Sequence, residues 1–182
     1  MVAEVAVHLG TLLNRNSSDL DLRMVEAAAL LHDVGKQRSL QTGEDHAALG
    51  ARMLAGIVPP AVTKIVGEHV YIDSSGIESP LTESLLVNYS DKRVKHDRIV
   101  SVEERFQDLI ARYAKSLSHR DLLLEKLKLY TVLERNIFSH LEIEPLGKEI
   151  MDITIDDIKG AGSNNHGNEQ ENHCAAGGRE IR

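Results

Sequence analysis

The sequence predicts an all-α fold, a bundle of helices, on three observations. Apolar residues recur at three- and four-residue intervals along most of the chain. Ser, Thr and Pro stand before these periodic stretches, where helix starts need caps. No stretch shows the apolar–polar alternation of a half-buried strand, and no internal repeat is present. Composition agrees: aromatic residues are 3% of the chain and Trp is absent, so Leu, Val, Ile and Ala must fill the interior. Together with Glu and Lys, that aliphatic mix favours helix.

The first helix is expected over Val2 to Asn14, with Val2, Val5, Ala6, Leu9, Leu12 and Leu13 on one stripe. Ser17, Ser18 and Asp19 break the pattern and offer caps for a second helix, Leu20 to Asp33, after which Gly35 loosens the chain. Thr42 with Asp45 resembles a capping box for a third helix to about Ala55, with Gly56 past its end. Pro59-Pro60 opens a fourth, reaching Val70, followed by a loop at 72–76. Ser79-Pro80 places a cap and an N1 proline before a fifth helix running to Lys95. Ser101 with Glu104 caps a sixth to Lys115, and Ser118 a long seventh through His140. Shorter helical pieces are expected after Pro145 and Thr154. From Gly160 onward apolar residues almost vanish, so one domain is expected over 1–158 and a disordered tail over 159–182.

Bulk properties exclude several classes. A net charge of -7 argues against a standing nucleic-acid partner, because counterion release needs a basic surface. It leaves room for a small phosphorylated substrate, which needs only a local positive field. A single cysteine, Cys174, cannot form an internal disulfide and fits a reducing compartment. Apolar runs fall short of membrane-spanning length and the N-terminus has no signal-peptide pattern, so a cytoplasmic location is expected.

Chemistry shows as polar groups on faces that should be apolar. In the second helix Met24, Ala28 and Leu31 define the stripe, and His32 continues it, with Asp33 immediately after. In the third, His46 shares a face with Leu49, Gly50 and Met53. His69 completes Val62, Ile65 and Val66 in the fourth, and Asp91 stands between Val87 and Val94 in the fifth. Buried carboxylates need a cation or tight hydrogen bonding. Imidazole with carboxylate is the donor set for Zn, Mn, Fe, Co or Ni rather than for calcium, with Mg a further option. Helical bundles build such centres from side chains on several facing helices.

The run Ala28-Ala29-Leu30-Leu31-His32-Asp33-Val34-Gly35-Lys36 resembles the signature of the HD superfamily of metal-dependent phosphohydrolases. The order His32-Asp33, His46, His69, then Asp91 in YSDKRV is similar to the two-metal branch, over roughly residues 2 to 115. The resemblance implies that His32, Asp33 and Asp91 hold one divalent ion, and that Asp33 bridges to a second held by His46 and His69. It implies that Asp33 and Lys36 serve catalysis, Lys36 by contacting phosphate or assisting proton transfer. Lys92 and Arg93 are expected to face the same cleft and bind substrate, or else to lie on a solvated face.

The family pattern also needs a His on the first helix. His8 lies about 80° from the stripe centre by helical geometry. The run Val2-Ala3-Glu4-Val5-Ala6 looks like the family's VA run, which puts the expected His upstream of Met1. The chain is therefore expected to be truncated, to begin at a misassigned start, or to be one domain of a longer protein, with His8 as the alternative ligand. His96, His119 and His140 read as surface residues, and His166, His173 and Cys174 belong to the tail. The expected activity is hydrolysis of a nucleotide or related phosphoester. The alternatives are a di-iron oxygenase on the same ligands and a non-catalytic regulatory domain.

Overall fold

The computed structural model describes residues 1–72, 74, 77 and 80–153. The expected tail and the helical piece after Thr154 lie outside the described residues. Among these, nine helices and one two-stranded hairpin follow in the order α1 (Val2–Arg15), α2 (Leu22–Leu31), α3 (Lys36–Thr42), α4 (His46–Leu54), α5 (Pro60–Glu68), α6 (Glu83–Asp91), β1 (Val94–Lys95), β2 (Arg98–Ile99), α7 (Val102–Tyr113), α8 (Leu117–Ser139) and α9 (Lys148–Met151). The all-α expectation holds.

The core forms where the apolar stripes meet. Val5, Ala6, Leu9 and Leu13 of α1 pack with Val25, Ala28 and Ala29 of α2 and with Leu86 and Val87 of α6, all buried. The buried face of α2 thus centres on Val25, Ala28 and Ala29, while Met24 and Leu31 are only half-buried beside it. Gly10 lets α1 lie close to its neighbours: a Cβ there would stand 2.7 Å from Leu22 Cδ2 and 3.1 Å from Leu86 Cδ2. Burying such aliphatic side chains contributes about 1.5–3 kcal/mol each before entropy is counted.

Several helix starts differ from the sequence reading because another side chain reaches the free amides first. Asp21, not the Ser17–Asp19 group, caps α2 by accepting from the Arg23 and Met24 amides. Thr42 ends α3 instead of capping α4. Gly43 closes α3 at φ 74, and the Asp45 carboxylate caps α4 at the Ala48 amide. Thr82 caps α6 and Ser116 caps α8. Ser101 caps α7 through the Glu104 amide at 3.0 Å, as expected.

The expected fifth helix ends at Asp91, short of Lys95. The chain leaves helical geometry after Asp91 and makes an antiparallel hairpin pairing Val94 with Ile99 and Lys95 with Arg98. The β-branched residues Val94, Ile99 and Val100 suit that extended pairing. His96 takes the turn at φ 58, a left-handed conformation costly for a residue with a Cβ.

The helices past residue 115 are tied to the rest by a buried polar knot. Arg93 donates to the Val100 carbonyl at 2.7 Å, the Tyr89 hydroxyl at 2.6 Å and the Pro145 carbonyl at 2.7 Å. Tyr89 in turn donates to Glu134 of α8 at 2.6 Å. No helix among the described residues is long and apolar enough to cross a membrane.

Candidate metal centre

Three local devices aim the polar groups inward. Helix α2 ends at Leu31, and residues 32–35 turn tightly, the Val34 amide donating to the Leu31 carbonyl and the Lys36 amide to the Asp33 carbonyl. This turn runs directly against the start of α4. A Cβ on Gly35 would lie 2.3 Å from the His46 carbonyl oxygen and 2.6 Å from the Gly50 nitrogen, so only glycine permits the approach that sets Asp33 beside His46. Buried Asn88 of α6 donates to the Tyr71 carbonyl at 2.6 Å, fixing the end of α5, and with it His69, relative to Asp91.

The resulting geometry has two halves joined by one carboxylate. His32 Nε2 lies 3.6 Å from Asp33 Oδ2 and 3.7 Å from Asp91 Oδ1. His46 Nε2 lies 3.5 Å from Asp33 Oδ1 and 3.2 Å from His69 Nε2. Asp33 therefore turns one oxygen to each half. The ring nitrogens facing the centre are set by the opposite nitrogens: His32 Nδ1 and His69 Nδ1 each sit 2.7 Å from a backbone carbonyl, of Ala29 and Val66. A carbonyl only accepts, so each Nδ1 carries a proton, and in the neutral ring each Nε2 is left with a lone pair toward the centre.

Electrostatics follow from burial and neighbours. Burial disfavours a charged His69 and pushes its pKa down to about 4, the Val66 carbonyl and Asp91 offsetting this only in part. Burial acts the same way on His32, but hydrogen bonding to Asp91, the Asp91 charge and the Ala29 carbonyl outweigh it and raise its pKa. For Asp91 burial would favour the neutral acid. The Lys92 ammonium and His32 win, holding the carboxyl well below its ordinary range.

The donor set fits a divalent metal. One atom each from Asp33, His46 and His69 lies within 4.8 Å of the others. The Nε2 atoms of His46 and His69 converge with a carboxylate oxygen, a donor set that suits a divalent transition-metal cation. His32, Asp33 and Asp91 form a second, adjoining group.

A cavity of about 520 Å³ opens over the His32, Asp33 and Asp91 group, and neither His46 nor His69 lines it. His32, Asp33 and Asp91 line one side, and Lys36 reaches over it with its Nζ 2.6 Å from Asp33 Oδ2. Met1 and, from α1, Val2 and Ala3 also line the cavity, whereas His8 is half-buried and does not line it.

Two expectations need correction. Arg93 cannot bind substrate, because it is 0% exposed and its guanidinium is engaged within the protein by Tyr89, Val100 and Pro145. Lys92 does face the site, but its ammonium pairs with the Asp91 carboxylate and lies 5.8 Å over the Tyr130 ring, holding that carboxylate from behind the cavity. His96 is exposed, as read from the sequence, and it also lines the cavity with Arg105, Arg112 and Tyr113. The sequence signal for these was faint: Arg105, Arg112 and Tyr113 share the polar face of an amphipathic helix, which resembles any solvated face.

No curated protein and no solved structure matches the chain. A family model described as HD domain matches residues 1–115, a stretch that contains His32, Asp33, His46, His69, Asp91 and the helices that carry them, and the chain belongs to that family.

Proposed function

We propose that the protein is a metal-dependent phosphohydrolase acting on a nucleotide or related phosphoester or phosphoanhydride. The observation that carries this reading is the split of the Asp33 carboxylate, one oxygen toward His32 and the other toward His46. That arrangement supports two adjoining divalent ions, Mn, Fe, Co, Ni, Zn or Mg, with Asp33 between them. His32, Asp33 and Asp91 would hold one, and Asp33, His46 and His69 the other. Bound ions would supply Lewis acidity, lowering the pKa of a water and neutralising phosphoryl oxygens.

The chain's own groups do the positioning. The Lys36 ammonium rests on Asp33 and projects into the cavity, 57% exposed, so a phosphoryl oxygen entering there would meet its charge. Lys92, on the far side of Asp91, keeps that carboxylate ionised and oriented. In the hydrolysis itself, a P–O bond to water forms as the P–O bond to the leaving group breaks, and the leaving oxygen takes the proton that water gives up.

The test is elemental analysis of the purified protein together with phosphate release from a nucleotide panel in Mn, Fe, Co and Mg, beside an Asp33→Ala control. Near-stoichiometric metal with turnover abolished by the substitution is the expected result. Bound iron with oxygen consumption and no phosphate release would replace the hydrolase by an oxygenase. Neither metal nor turnover would leave a regulatory domain.

A further inference from the structure

Part of the cavity lining comes from α7 and the hairpin, and this part is cationic although the chain as a whole carries a net charge of -7. Asp108, 10% exposed, organises it. Its carboxylate accepts from Arg112 Nε at 2.9 Å and Arg105 Nη1 at 3.2 Å, and lies 3.9 Å from Lys95 Nζ. Three cations thus share one carboxylate, and Glu104, 3.5 Å from Lys95, is the other acid among them, which leaves the group net positive. Arg112 Nη2 lies 2.8 Å from His96 Nε2. An arginine only donates, so His96 accepts there and its Nδ1–H is the ring's remaining donor.

Two features mark this as more than a surface ion-pair network. Arg105 Nε is buried without a hydrogen-bond partner, an orphan donor on a residue that lines the cavity. His96, exposed in the hairpin turn at φ 58, is set by that turn on the lining of the same cavity. Arg105, Arg112 and His96 all line the cavity that Asp33, Asp91 and Lys36 line. At about 520 Å³ that cavity lies in the range of sites for whole small molecules, larger than one phosphoryl group requires.

We propose that Arg105, Arg112 and His96 form a second anion subsite, which takes a non-reacting phosphate of a substrate carrying a phosphoanhydride chain while the reacting phosphoryl group lies at the Asp33 side. The substrate class is then a nucleoside di- or triphosphate or a dinucleoside polyphosphate, in preference to a nucleoside monophosphate. Guanidinium groups preset by a buried carboxylate suit this role, because their planar fork meets two phosphate oxygens with little ordering left to do. The assignment of substrate rests on the hydrolase reading; the anion subsite itself does not.

The test separates the two. Metal-chelated protein is titrated calorimetrically with inorganic tripolyphosphate and with inorganic phosphate, in wild type, Arg112→Gln, Arg105→Gln and the distant charge control Lys64→Gln. Melting temperatures establish that each variant is folded. Losing one charge-assisted contact should weaken tripolyphosphate binding about tenfold in Arg112→Gln and leave it unchanged in Lys64→Gln. Manganese-loaded Arg112→Gln should show a KM for a nucleoside triphosphate raised about tenfold, with little change for a monophosphate. Arginine-dependent tripolyphosphate binding without turnover of any nucleotide would uphold the subsite and remove the hydrolase. Turnover with tripolyphosphate binding that ignores Arg112 and Arg105, or that falls equally in Lys64→Gln, overturns the subsite and leaves the hydrolase standing.

Discussion

The Nε2 atoms of His46 and His69 face each other across 3.2 Å, and His69 Nε2 has no proton to give because its Nδ1 donates to the Val66 carbonyl. Asp33 Oδ1 closes the group at 3.5 Å from His46. Loss of an outer-shell partner alone costs about 10–100-fold in metal affinity, so removing either imidazole should cost at least that. His46→Ala and His69→Ala are each expected to lower bound Mn or Co in elemental analysis and to weaken binding by calorimetry. His96→Ala, in the hairpin turn outside the metal-site groups, should bind metal as wild type does. Equal affinity in all three variants would mean that these rings do not hold an ion.

Gly35 sets the distance between the two halves of the site. Its Cβ position is blocked by backbone, 2.3 Å from the His46 carbonyl and 2.6 Å from the Gly50 nitrogen, so no rotamer change relieves a substitution. Gly35→Ala is expected to destabilise by at least about 2 kcal/mol, as overpacking does, and to push Asp33 away from His46. Gly43→Ala, at φ 74 with open space around it, should cost about 1 kcal/mol and leave metal binding intact. Thermal melts with and without Mn measure both effects. A Gly35→Ala protein with unchanged melting and full metal binding would refute the packing argument.

Much of the centre was legible because its members interrupt apolar stripes. His69 follows Val62, Ile65 and Val66 at helical spacing, and all four are buried in the structure. Helix α3 was not legible: Leu40 is its one large apolar residue and is 83% exposed, so there is no stripe to read. The cationic wall was hidden for a different reason. Arg105 and Arg112 occupy an ordinary polar helix face, and only the fold brings that face to the cavity that His32 and Asp33 line. In Lys92-Arg93, adjacent cations have opposite fates because the helix ends at Asp91, which turns Arg93 into the interior while Lys92 stays on Asp91.

That burial of Arg93 has a measurable consequence. Removing one partner from a buried charged network leaves the others unsatisfied and costs about 3 kcal/mol or more. Arg93→Leu is expected to lose that much in urea denaturation, stranding Glu134 and the Pro145 carbonyl. Arg93→Lys should recover little, since an ammonium cannot reproduce three diverging donors. Metal content per folded molecule should not change. Normal stability combined with weakened phosphate binding would instead put Arg93 in the cavity.

Acid should unfold the metal-free protein through His69. Its folded pKa is pushed down to about 4, whereas an imidazole in the unfolded chain titrates near 6.5. As pH falls from 6.5 toward 4, the unfolded chain binds a proton that folded His69 refuses, so stability drops, by up to about 3 kcal/mol over the window. His32 does not offset this slope. Its raised pKa contributes stability that is fully present below 6.5 and is lost only as pH rises through the raised value. Asp91, with its pKa lowered, contributes stability present above 3.8 and lost on further acidification. Denaturant titrations in chelator at pH 6.5, 5.5 and 4.5 should therefore show wild type losing more stability than His69→Gln, whose side chain does not titrate. Saturating Mn should steepen the wild-type dependence further, because the metal binds only the neutral ring. Parallel curves for the two proteins in chelator would show that His69 is protonated as easily in the fold as out of it, and would remove the buried neutral imidazole on which the His46–His69 geometry depends.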